Sequence, residues 1–290
     1  MTGDKTVLIT GTSTGIGQAT AVRAAAAGWR VVATMRDTER QGALREAARQ
    51  AGVELDVQRL DVTDADSIDS CLDGVRRTHG RLDALVNNAG VSNFDPTMEM
   101  STLDALRANL EVNFVGVVAV SRVAMPMLRA TRGRLVTIGS VHGVVGQPFN
   151  EAYAAAKFAV EGFMESLAPV AATHGVAVSV VVPGFVFDTE FGRFPDISRV
   201  TIQAASGPYA GTVADYFARI SAQGWGGAAQ TRGEVAEVVV ETLDCHAPAF
   251  RVPTSAWVRD YLGHKLADLD GTVVQTLARS WIQAPEPALG

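Results

Sequence analysis

Two patterns of hydrophobic and polar positions alternate along the first two thirds of the chain. Short apolar runs, rich in β-branched residues, occur at Thr6–Thr10, Arg30–Thr34, Leu55–Arg59, Ala84–Asn87, Arg134–Gly139 and Ala177–Val182. Nearly unbroken runs of this length are typical of strands covered on both faces, as in a parallel sheet. Between them, segments rich in Ala, Leu, Glu and Arg predict helices at Gln18–Ala27, Arg40–Ala51, Ala65–His79, roughly 103–130 and Ala152–His174. Strands joined by helical crossovers predict an α/β fold: a doubly wound, Rossmann-type parallel sheet with helices on both faces.

The pattern changes after Pro183. Residues 184–211 carry many Gly, Pro and Phe residues without a sustained period, which predicts a long loop with at most a short helix. The remaining predicted elements are helices at Thr212–Ser221 and Glu234–Asp244, a last strand at Phe250–Val252, and one or two helices within 254–282. Pro169 lies inside the helix predicted at Ala152–His174, and we expect it to kink or end that helix.

Composition limits the possible chemistry. A chain of 290 residues can bury roughly three quarters of its unfolded surface, so it needs no disulfide or metal to hold its fold. Cys71 and Cys245 form no CxxC motif or Cys/His cluster, and we predict no metal or redox site. The net charge of −6 argues against nucleic acid as the main partner. We find no signal peptide and no uninterrupted apolar stretch approaching about 18 residues, and therefore expect a cytoplasmic protein without a membrane span.

A glycine-rich turn follows the first predicted strand and opens the first helix, at Thr10-Gly11-Thr12-Ser13-Thr14-Gly15-Ile16-Gly17. Gly11 would let the chain turn sharply, Gly15 would let the backbone approach a pyrophosphate, and Gly17 would let the helix pack on the sheet. Free N–H groups and the dipole at the helix N-terminus favour an anion there. A plain structural turn is the alternative, but the strand–turn–helix context favours dinucleotide binding by Gly11, Ser13, Thr14, Gly15, Ile16 and Gly17.

The end of the second predicted strand bears on the choice of cofactor. NAD-binding units usually place Asp or Glu at this tip to hold the ribose hydroxyls, whereas an arginine accommodates the 2′-phosphate of NADP. Met35 occupies the tip here, and Arg36 follows with a planar guanidinium that suits phosphate. Asp37 comes one or two positions late for the ribose role. We therefore favour NADP(H) over NAD(H); a solvated surface arginine is the alternative reading of Arg36.

Tyr153 and Lys157 are four residues apart near the start of a predicted helix, so their side chains share one face. A tyrosine with a pKa near 10 is a poor acid–base group at neutral pH. A neighbouring cation favours the phenolate, which assists reversible proton transfer to a carbonyl. Tyr261 and Lys265 repeat the spacing. Ser140 closes an apolar strand 13 residues before Tyr153, and no such strand precedes Tyr261, which we interpret as ordinary helix surface.

These motifs resemble the short-chain dehydrogenase/reductase family, in its compact subgroup. The matches extend from residue 5 to about 190 in the family's order, at Thr10–Gly17, Asp61, Asn87–Gly90, Asn113, Ser140, Tyr153, Lys157 and Pro183–Gly184. Thr34–Asp37 and Pro148–Asn150 are most similar to the 17β-hydroxysteroid and retinol dehydrogenase members. The resemblance implies an NADP(H)-dependent oxidoreductase that interconverts a ketone or aldehyde and an alcohol.

The resemblance also implies a role for each matching residue. Tyr153 would exchange a proton with the substrate oxygen, while Lys157 would lower the tyrosine pKa and bind the nicotinamide ribose. Ser140 would stabilise the oxyanion, and Asn113 would hold a water that relays protons from Lys157. Further cofactor contacts would come from Asp61, Val62, Asn88, Ala89, Gly90, Pro183, Gly184, Val186 and Thr189. The family's carboxamide-binding threonine is replaced here by Asp188, with Thr189 one position later. Individually, Asn113, Ser140 and Asn88 could also be purely structural.

Four phenylalanines fall within ten residues, at Phe185, Phe187, Phe191 and Phe194. In the family this segment closes over the substrate, so the rings favour an apolar pocket; the alternative is that they pin a long loop to the core. Residues just after Ser140, among them Val144, would face the same cleft. The predicted substrate-binding residues are Ser140, His142, Phe149, Tyr153, Phe185 and Phe191, and the substrate is a small apolar carbonyl or alcohol, steroid-, retinoid- or polyketide-like.

Residues 1–290 are predicted to form one dinucleotide-binding catalytic domain. Residues from about 185 to 225 would cover the substrate, and about 254–282 would form a helical C-terminal extension. Family members usually pair through the long helices at about 103–130 and 152–174, so we expect a homodimer or homotetramer. The alternative function is a catalytically silent dinucleotide-binding regulator of the same fold. Such proteins typically lose the tyrosine or the lysine, and both are present here.

Overall fold

The core of the molecule is a parallel β-sheet. The computed structural model describes residues 5–92, 97–191, 199–222 and 229–272. Their strands are β1 (Thr6–Ile9), β2 (Arg30–Met35), β3 (Asp56–Arg59), β4 (Ala84–Asn87), β5 (Arg134–Ile138), β6 (Ala177–Val182), β7 (Phe185–Val186), β8 (Ala229–Gln230) and β9 (Arg251–Pro253). Seven of them form one sheet in the order β3-β2-β1-β4-β5-β6-β9, and β7 pairs with β8 in a separate two-stranded sheet. The strand order reverses between β1 and β4, and doubly wound sheets bind ligands in the crevice at such a point.

Helices cover both faces of the large sheet. The helices of the described residues are α1 (Gly15–Ala26), α2 (Gly42–Ala51), α3 (Ala65–His79), α4 (Leu103–Leu110), α5 (Gly116–Thr131), α6 (Glu151–Ala172), α7 (Arg199–Ala205), α8 (Ala210–Ala222), α9 (Arg232–Asp244) and α10 (Ala256–Gly263). A π-helical turn, Glu111–Val115, joins α4 to α5. Short 3₁₀ helices lie at Thr38–Gln41, Val141–Gly143 and Gly207–Tyr209.

Alternate residues of each central strand point to opposite faces of the sheet. Leu8 of β1 packs in the core on the side of α3, α5 and α6. Val7 and Ile9 pack in the core on the side of α1, α2 and α9. All three side chains are fully buried. This period-two division between two cores confirms the predicted doubly wound sheet with both faces covered.

The predicted strand boundaries agree with the structure to within one residue, and larger differences concern helices and the segment after Pro183. Helix α1 begins at Gly15, three residues before the predicted start. The prediction began late because Gly15 and Gly17 have weak helix propensity on their own. Helix α6 continues to Ala172, so Pro169 does not itself end it. The predicted loop at 184–211 also contains β7 and α7. Strand β7 has only two residues, and it pairs with a distant part of the chain, so its sequence shows no period.

One continuous helical stretch, Leu103–Thr131, is long and apolar enough by composition alone to cross a membrane. Its side chains include Val117, Val120 and Leu128, which are buried in the core of the molecule. Core helices of globular proteins meet the same criterion as membrane helices. The expected absence of a membrane span therefore stays a prediction.

Parts of the predicted segments lie outside the described residues. Phe194 is among these, as are portions of the predicted substrate-covering and C-terminal segments, at 192–198, 223–228 and 273–282. The predicted division of one domain into these segments stays a prediction.

Candidate active site

Tyr153 and Lys157 lie on successive turns at the start of α6, and both side chains are buried. The Lys157 ammonium donates a hydrogen bond to the carbonyl oxygen of Ile138 at 2.9 Å. The same nitrogen lies 5.7 Å from the centroid of the Tyr153 ring. Because Ile138 is the last residue of β5, this bond fixes the lysine at the carboxyl end of the sheet, where the crevice opens.

Ser140 lies between the end of β5 and the 3₁₀ helix at Val141–Gly143. Its hydroxyl accepts a hydrogen bond from the His142 amide at 3.1 Å and caps that helix. The same side chain hydrogen-bonds to Tyr153. The sequence left open whether Ser140 only caps a turn; the structure shows that it does so and also contacts the tyrosine.

Burial controls the ionisation of both central groups. It raises the pKa of Tyr153 to about 12, an effect that the hydrogen bond to Ser140 opposes. Burial also lowers the pKa of Lys157 to about 8. Desolvation disfavours the charged form of each group, so burial shifts both equilibria toward the neutral phenol and the neutral amine relative to water. At neutral pH Tyr153 is therefore a neutral phenol, and the expected lowering of its pKa by Lys157 stays a prediction.

Asn113 lies in the π-helical turn and is fully buried. Its side-chain oxygen accepts from the Val91 amide at 3.0 Å, while its nitrogen donates to the Val91 carbonyl at 2.8 Å and to the Asn109 side chain at 2.7 Å. Both N–H bonds of the side-chain amide are therefore used. The water predicted at Asn113 would have to bind to one of its oxygens, and this role stays a prediction.

The glycine turn has the backbone geometry that the sequence predicted. Gly11 and Gly15 adopt left-handed conformations, with φ of +70° and +62°. A Cβ atom at Gly17 would lie 2.3 Å from both the Gly11 carbonyl oxygen and the Asn88 side-chain nitrogen. Thr14 makes no side-chain cap to α1, so the first amides of this helix remain available to an anion. The turn therefore fits the pyrophosphate of a dinucleotide.

Asn88 holds the glycine turn in place. Its side-chain nitrogen donates to the carbonyl oxygens of Thr10 and Gly11, at 2.8 and 2.9 Å. The Thr10 hydroxyl in turn accepts from the amides of Asn88 and Ala89, at 2.9 Å each. Sequence reasoning missed this role of Thr10, although its place directly before the glycine turn was a signal. The predicted ribose contacts of Asn88, Ala89 and Gly90 stay predictions.

The two charged residues after β2, Arg36 and Asp37, have different surroundings. Arg36 is exposed at the end of the strand. The Asp37 carboxylate accepts the amide hydrogen of Glu39 at 3.0 Å and caps the 3₁₀ helix at Thr38–Gln41. Asp37 is therefore occupied by a local cap, while Arg36 projects at the edge where a 2′-phosphate would lie.

Asp61 and Val62 follow β3 at the same edge of the sheet. The Asp61 carboxylate accepts from the amide and the hydroxyl of Thr63, at 3.0 and 2.8 Å. Burial raises its pKa, but these bonds and the charges of Arg36 and Arg59 outweigh burial and lower it. Val62 is buried, and a Cβ atom at Gly116 would lie 2.8 Å from its methyl group. The predicted adenine contacts of Asp61 and Val62 stay predictions.

Besides Ser140, two of the predicted substrate-binding residues contact Tyr153. The rings of His142 and Phe191 lie 5.6 and 5.8 Å from the tyrosine ring, centroid to centroid. Burial lowers the pKa of His142, although a hydrogen bond with Gln147 opposes this. Within the described residues, Nδ1 of His142 is buried and has no hydrogen-bond partner. Phe191 itself is half exposed beside the buried tyrosine, and its predicted contact with substrate stays a prediction.

The other predicted aromatic residues differ in burial. Phe149 is buried, packs edge-on against Tyr216 at 5.2 Å and has a φ of +61°, which is rare for a bulky residue. Phe185 and Phe187 are 39% and 52% exposed. The prediction that Val144 faces the cleft is wrong, because its side chain packs in the main hydrophobic core.

Thr189 lies over the glycine turn. A Cβ atom at Gly15 would be 3.5 Å from the Thr189 methyl group, and Thr189 is buried. Before it, the Gly184 amide donates to the Gln230 side chain at 3.3 Å, and Val186 lies in β7. Pro183 contributes its carbonyl oxygen, which accepts from the amide of Val141 at 3.1 Å. The Pro183–Thr189 segment thus contacts both the loop after β5 and the glycine turn.

Tyr261 does not form a second acid–base pair. Helix α10 ends at Gly263, so Lys265 lies beyond the helix, with its ammonium 4.3 Å from the ring centroid of Phe158. The Tyr261 hydroxyl accepts from the Gln147 side chain at 3.1 Å, and its ring stacks on Trp257 at 4.8 Å. Tyr261 is partly exposed on its helix, as interpreted from the sequence, and its ring also packs against the core.

A family model described as short chain dehydrogenase matches residues 5–194. This span covers the glycine turn, the Ser140 loop and the Tyr153–Lys157 pair. The chain belongs to the short-chain dehydrogenase family. Members of this family are oxidoreductases that act on CH–OH and C=O groups and use a nicotinamide dinucleotide.

Similar members of the short-chain dehydrogenase family agree with the resemblance seen in the sequence. The chain is 36% identical to retinol dehydrogenase 8 of Bos taurus over 281 residues, which are 93% of this chain and 87% of that protein. It is also 36% identical to 17-beta-hydroxysteroid dehydrogenase type 1 of Homo sapiens over 294 residues, 97% and 87% of the two chains. A solved structure of actinorhodin polyketide ketoreductase with NADPH superposes with a TM-score of 0.74 at 27% identity, covering 89% of this chain and 99% of that one.

Proposed function

We propose that this short-chain dehydrogenase is an NADP(H)-dependent enzyme that interconverts a ketone or aldehyde and an alcohol on an apolar substrate. The observation that carries the proposal is the arrangement around Tyr153. Its phenol is buried, hydrogen-bonded to Ser140 and one helical turn from Lys157, with His142 and Phe191 flanking its ring. This group lies in the same crevice as the glycine turn.

A nicotinamide held in this crevice would supply the hydride for reduction of the carbonyl carbon, or take up the hydride of the alcohol carbon in oxidation. Tyr153, a neutral phenol at neutral pH, donates its proton to the carbonyl oxygen during reduction; in the reverse direction its phenolate takes the hydroxyl proton of the alcohol. Ser140 donates a hydrogen bond to the oxygen as negative charge develops on it. Lys157, fixed by Ile138, holds the ribose and stabilises the phenolate. Asn113 holds the water that returns protons to this group.

NADP(H) is favoured by the residues after β2. The Asp37 carboxylate is occupied as a helix cap, and it is therefore a poor partner for the ribose hydroxyls of NAD. Arg36 is exposed and close enough to Asp61 to lower its pKa, which puts a positive charge beside the adenosine edge of the crevice. The similar polyketide ketoreductase was solved with NADPH.

A bulky apolar substrate is supported by the aromatic walls of the cleft. Phe191 lies against Tyr153, and buried Phe149 packs on Tyr216. The similar proteins named above are a retinol dehydrogenase, a 17-beta-hydroxysteroid dehydrogenase and a polyketide ketoreductase. We infer a steroid-, retinoid- or polyketide-like skeleton for the substrate of this chain.

We further infer a cytoplasmic homodimer or homotetramer that pairs through the long helices. Val115 ends the π-helical turn before α5, Phe158 and Val170 lie on α6, and the three residues are 43%, 37% and 54% exposed. Apolar side chains on the outer faces of two neighbouring helices suit a subunit contact.

The test of the proposed function is turnover. The protein is mixed with NADPH and a panel of apolar ketones and aldehydes, and the absorbance of the reduced nicotinamide is followed. We expect oxidation of NADPH with at least one member of the panel. A Tyr153→Phe variant should bind NADPH normally, and its turnover rate should be lower by a factor of roughly 10² to 10⁴. Tight NADPH binding without turnover across the panel would instead support the catalytically silent regulator.

A further inference from the structure

Four consecutive residues contact four different elements around the cofactor crevice, and we call Asp188–Phe191 the strap. Asp188 contacts Arg232 at the start of α9, and Thr189 lies against Gly15 of α1. Glu190 lies 4.0 Å from the Arg40 guanidinium, after β2. Phe191 lies against Tyr153 of α6. The strap therefore extends from the glycine turn to Tyr153.

Within the strap, Asp188 has the shortest polar contact. One of its carboxylate oxygens accepts the main-chain hydrogen of Arg232 at 2.7 Å, and the other lies 3.6 Å from Nε of the Arg232 side chain. Arg232 is the first residue of α9. A carboxylate there also interacts favourably with the helix dipole.

Arg232 connects the strap to the cofactor helix as well. Its guanidinium donates to the side-chain oxygen of Gln18 at 3.1 Å. Gln18 is buried and directly follows Gly17 in the first turn of α1. Arg232 thus links both sides: its main-chain N–H is bonded to Asp188 of the strap, and its guanidinium is bonded to Gln18 beside the glycine turn. We call Asp188, Arg232 and Gln18 the clamp.

Thr189 follows Asp188 and faces a different partner. Asp188 is directed to α9, whereas the buried Thr189 methyl group lies over Gly15, and the Thr189 hydroxyl donates to the Val186 carbonyl at 3.2 Å. Fixing the backbone at Asp188 therefore fixes where Thr189 meets the glycine turn. It also restricts where Phe191, three residues further on, meets Tyr153.

We propose that Asp188 and Arg232 are positioning residues that hold Thr189 over the glycine turn and thereby set the affinity for the dinucleotide. The proposal rests on the proposed function only in taking the ligand of this turn to be NADPH. Asp188 and Arg232 are 31% and 43% exposed, so their charge attraction alone is weak. Their effect comes from geometry, because the main chain and the side chain of Arg232 together connect three elements through hydrogen bonds.

The chain offers a matched control for the clamp. Arg23 of α1 pairs with Glu237 of α9, and its side chain is 46% exposed, close to the 43% of Arg232. This pair joins the same two helices as the clamp, but neither of its residues contacts the strap in the described structure. Arg23→Met therefore removes an α1–α9 ion pair of similar exposure without touching Asp188.

The first measurement is the dissociation constant for NADPH, followed by the fluorescence of the reduced cofactor. We expect Arg232→Met to raise it about tenfold, the factor that corresponds to one lost hydrogen bond to a charged group. Asp188→Asn, which retains an acceptor for the Arg232 amide, should raise it less, and Arg23→Met should leave it within about twofold. If Arg232→Met does not fold, Asp188→Asn carries the test, and an unchanged constant in that variant would overturn the proposal.

The second measurement needs no cofactor. Hydrogen exchange of peptides covering residues 184–191 should be faster in Arg232→Met than in the wild-type protein, and unchanged in Arg23→Met. Equal exchange and equal NADPH affinity in Arg232→Met and wild type would overturn the proposal, as would an equal effect of Arg23→Met. Absence of turnover in a wild-type protein that binds NADPH would refute the proposed enzymatic function alone, because both of these measurements are independent of turnover.

Discussion

Lys157 should make the stability of the protein depend on alkaline pH in a characteristic way. Burial lowers its pKa to about 8, against an ordinary value of 10.5. Between these pH values the unfolded chain binds a proton at this lysine that the folded protein does not bind. The free energy of unfolding therefore rises with pH across this window, by about 3 kcal/mol at about 1.4 kcal/mol per pH unit. Below about pH 8 the contribution is constant, and it is unfavourable.

A Lys157→Met variant removes this dependence while keeping a long side chain. The difference in unfolding free energy between the wild type and the variant should therefore move by about 3 kcal/mol in favour of the wild type from pH 8 to pH 10.5. The variant also loses the hydrogen bond to Ile138, but this shifts the difference equally at every pH of the window. Tyr153 is present in both proteins, so its own titration largely cancels.

The assay is urea unfolding of both cofactor-free proteins at intervals from about pH 7 to about pH 10.5, analysed by linear extrapolation. Lys5→Met serves as the control, because Lys5 is an exposed lysine at the amino end of β1, whereas the crevice lies at the carboxyl end. The Lys5→Met comparison removes any effect of pH on unfolding that replacement of a lysine by methionine produces in general. A flat curve for Lys157→Met would refute the reasoning, because it would mean that the Lys157 ammonium is as well hydrated in the folded protein as in the unfolded chain.

Three further substitutions test other parts of the site. Arg36→Ala should raise the Michaelis constant for NADPH by about tenfold or more and that for NADH much less, since only NADPH loses a charged phosphate contact; equal effects would contradict the cofactor assignment. Gly17→Ala should destabilise the protein by about 1–3 kcal/mol in thermal unfolding, because its Cβ would lie 2.3 Å from two neighbours, whereas Gly42→Ala, at the start of α2 with no atom near its Cβ position, should stabilise it by up to about 1 kcal/mol. Ser140→Ala should slow turnover by roughly 10² to 10³ with normal NADPH binding; unimpaired turnover would exclude Ser140 from oxyanion stabilisation.

The charge state of the central pair illustrates where sequence reasoning stopped. The spacing of Tyr153 and Lys157 placed them on one helix face, as the structure has them. The same reasoning expected the lysine to lower the tyrosine pKa. In the folded protein both groups are buried, and burial acts on each more strongly than any other influence. Burial depends on every element packed around the site, so it cannot be read from a four-residue spacing.

Several contacts that hold the site and the fold together were also invisible to sequence patterns. The Asn88 side chain holds the glycine turn through residues 77 and 78 positions away, and Asp188 meets Arg232 across 44 positions. The buried ion pair of Arg251 and Glu161 spans 90 positions. Neither partner in these contacts carries a local signal for the other.

The sequence by itself determined the doubly wound sheet, the turn at Gly11–Gly17 and the helix that carries Tyr153 and Lys157. These features are local: a strand buried on both faces must be apolar at successive positions, and a left-handed turn favours glycine whatever surrounds it. Only the tertiary structure decided that Thr189 lies over Gly15, that Asp188 is held by Arg232, and that burial opposes ionisation of Tyr153. Those outcomes depend on which distant surfaces meet when the elements pack, and no spacing along the chain encodes them.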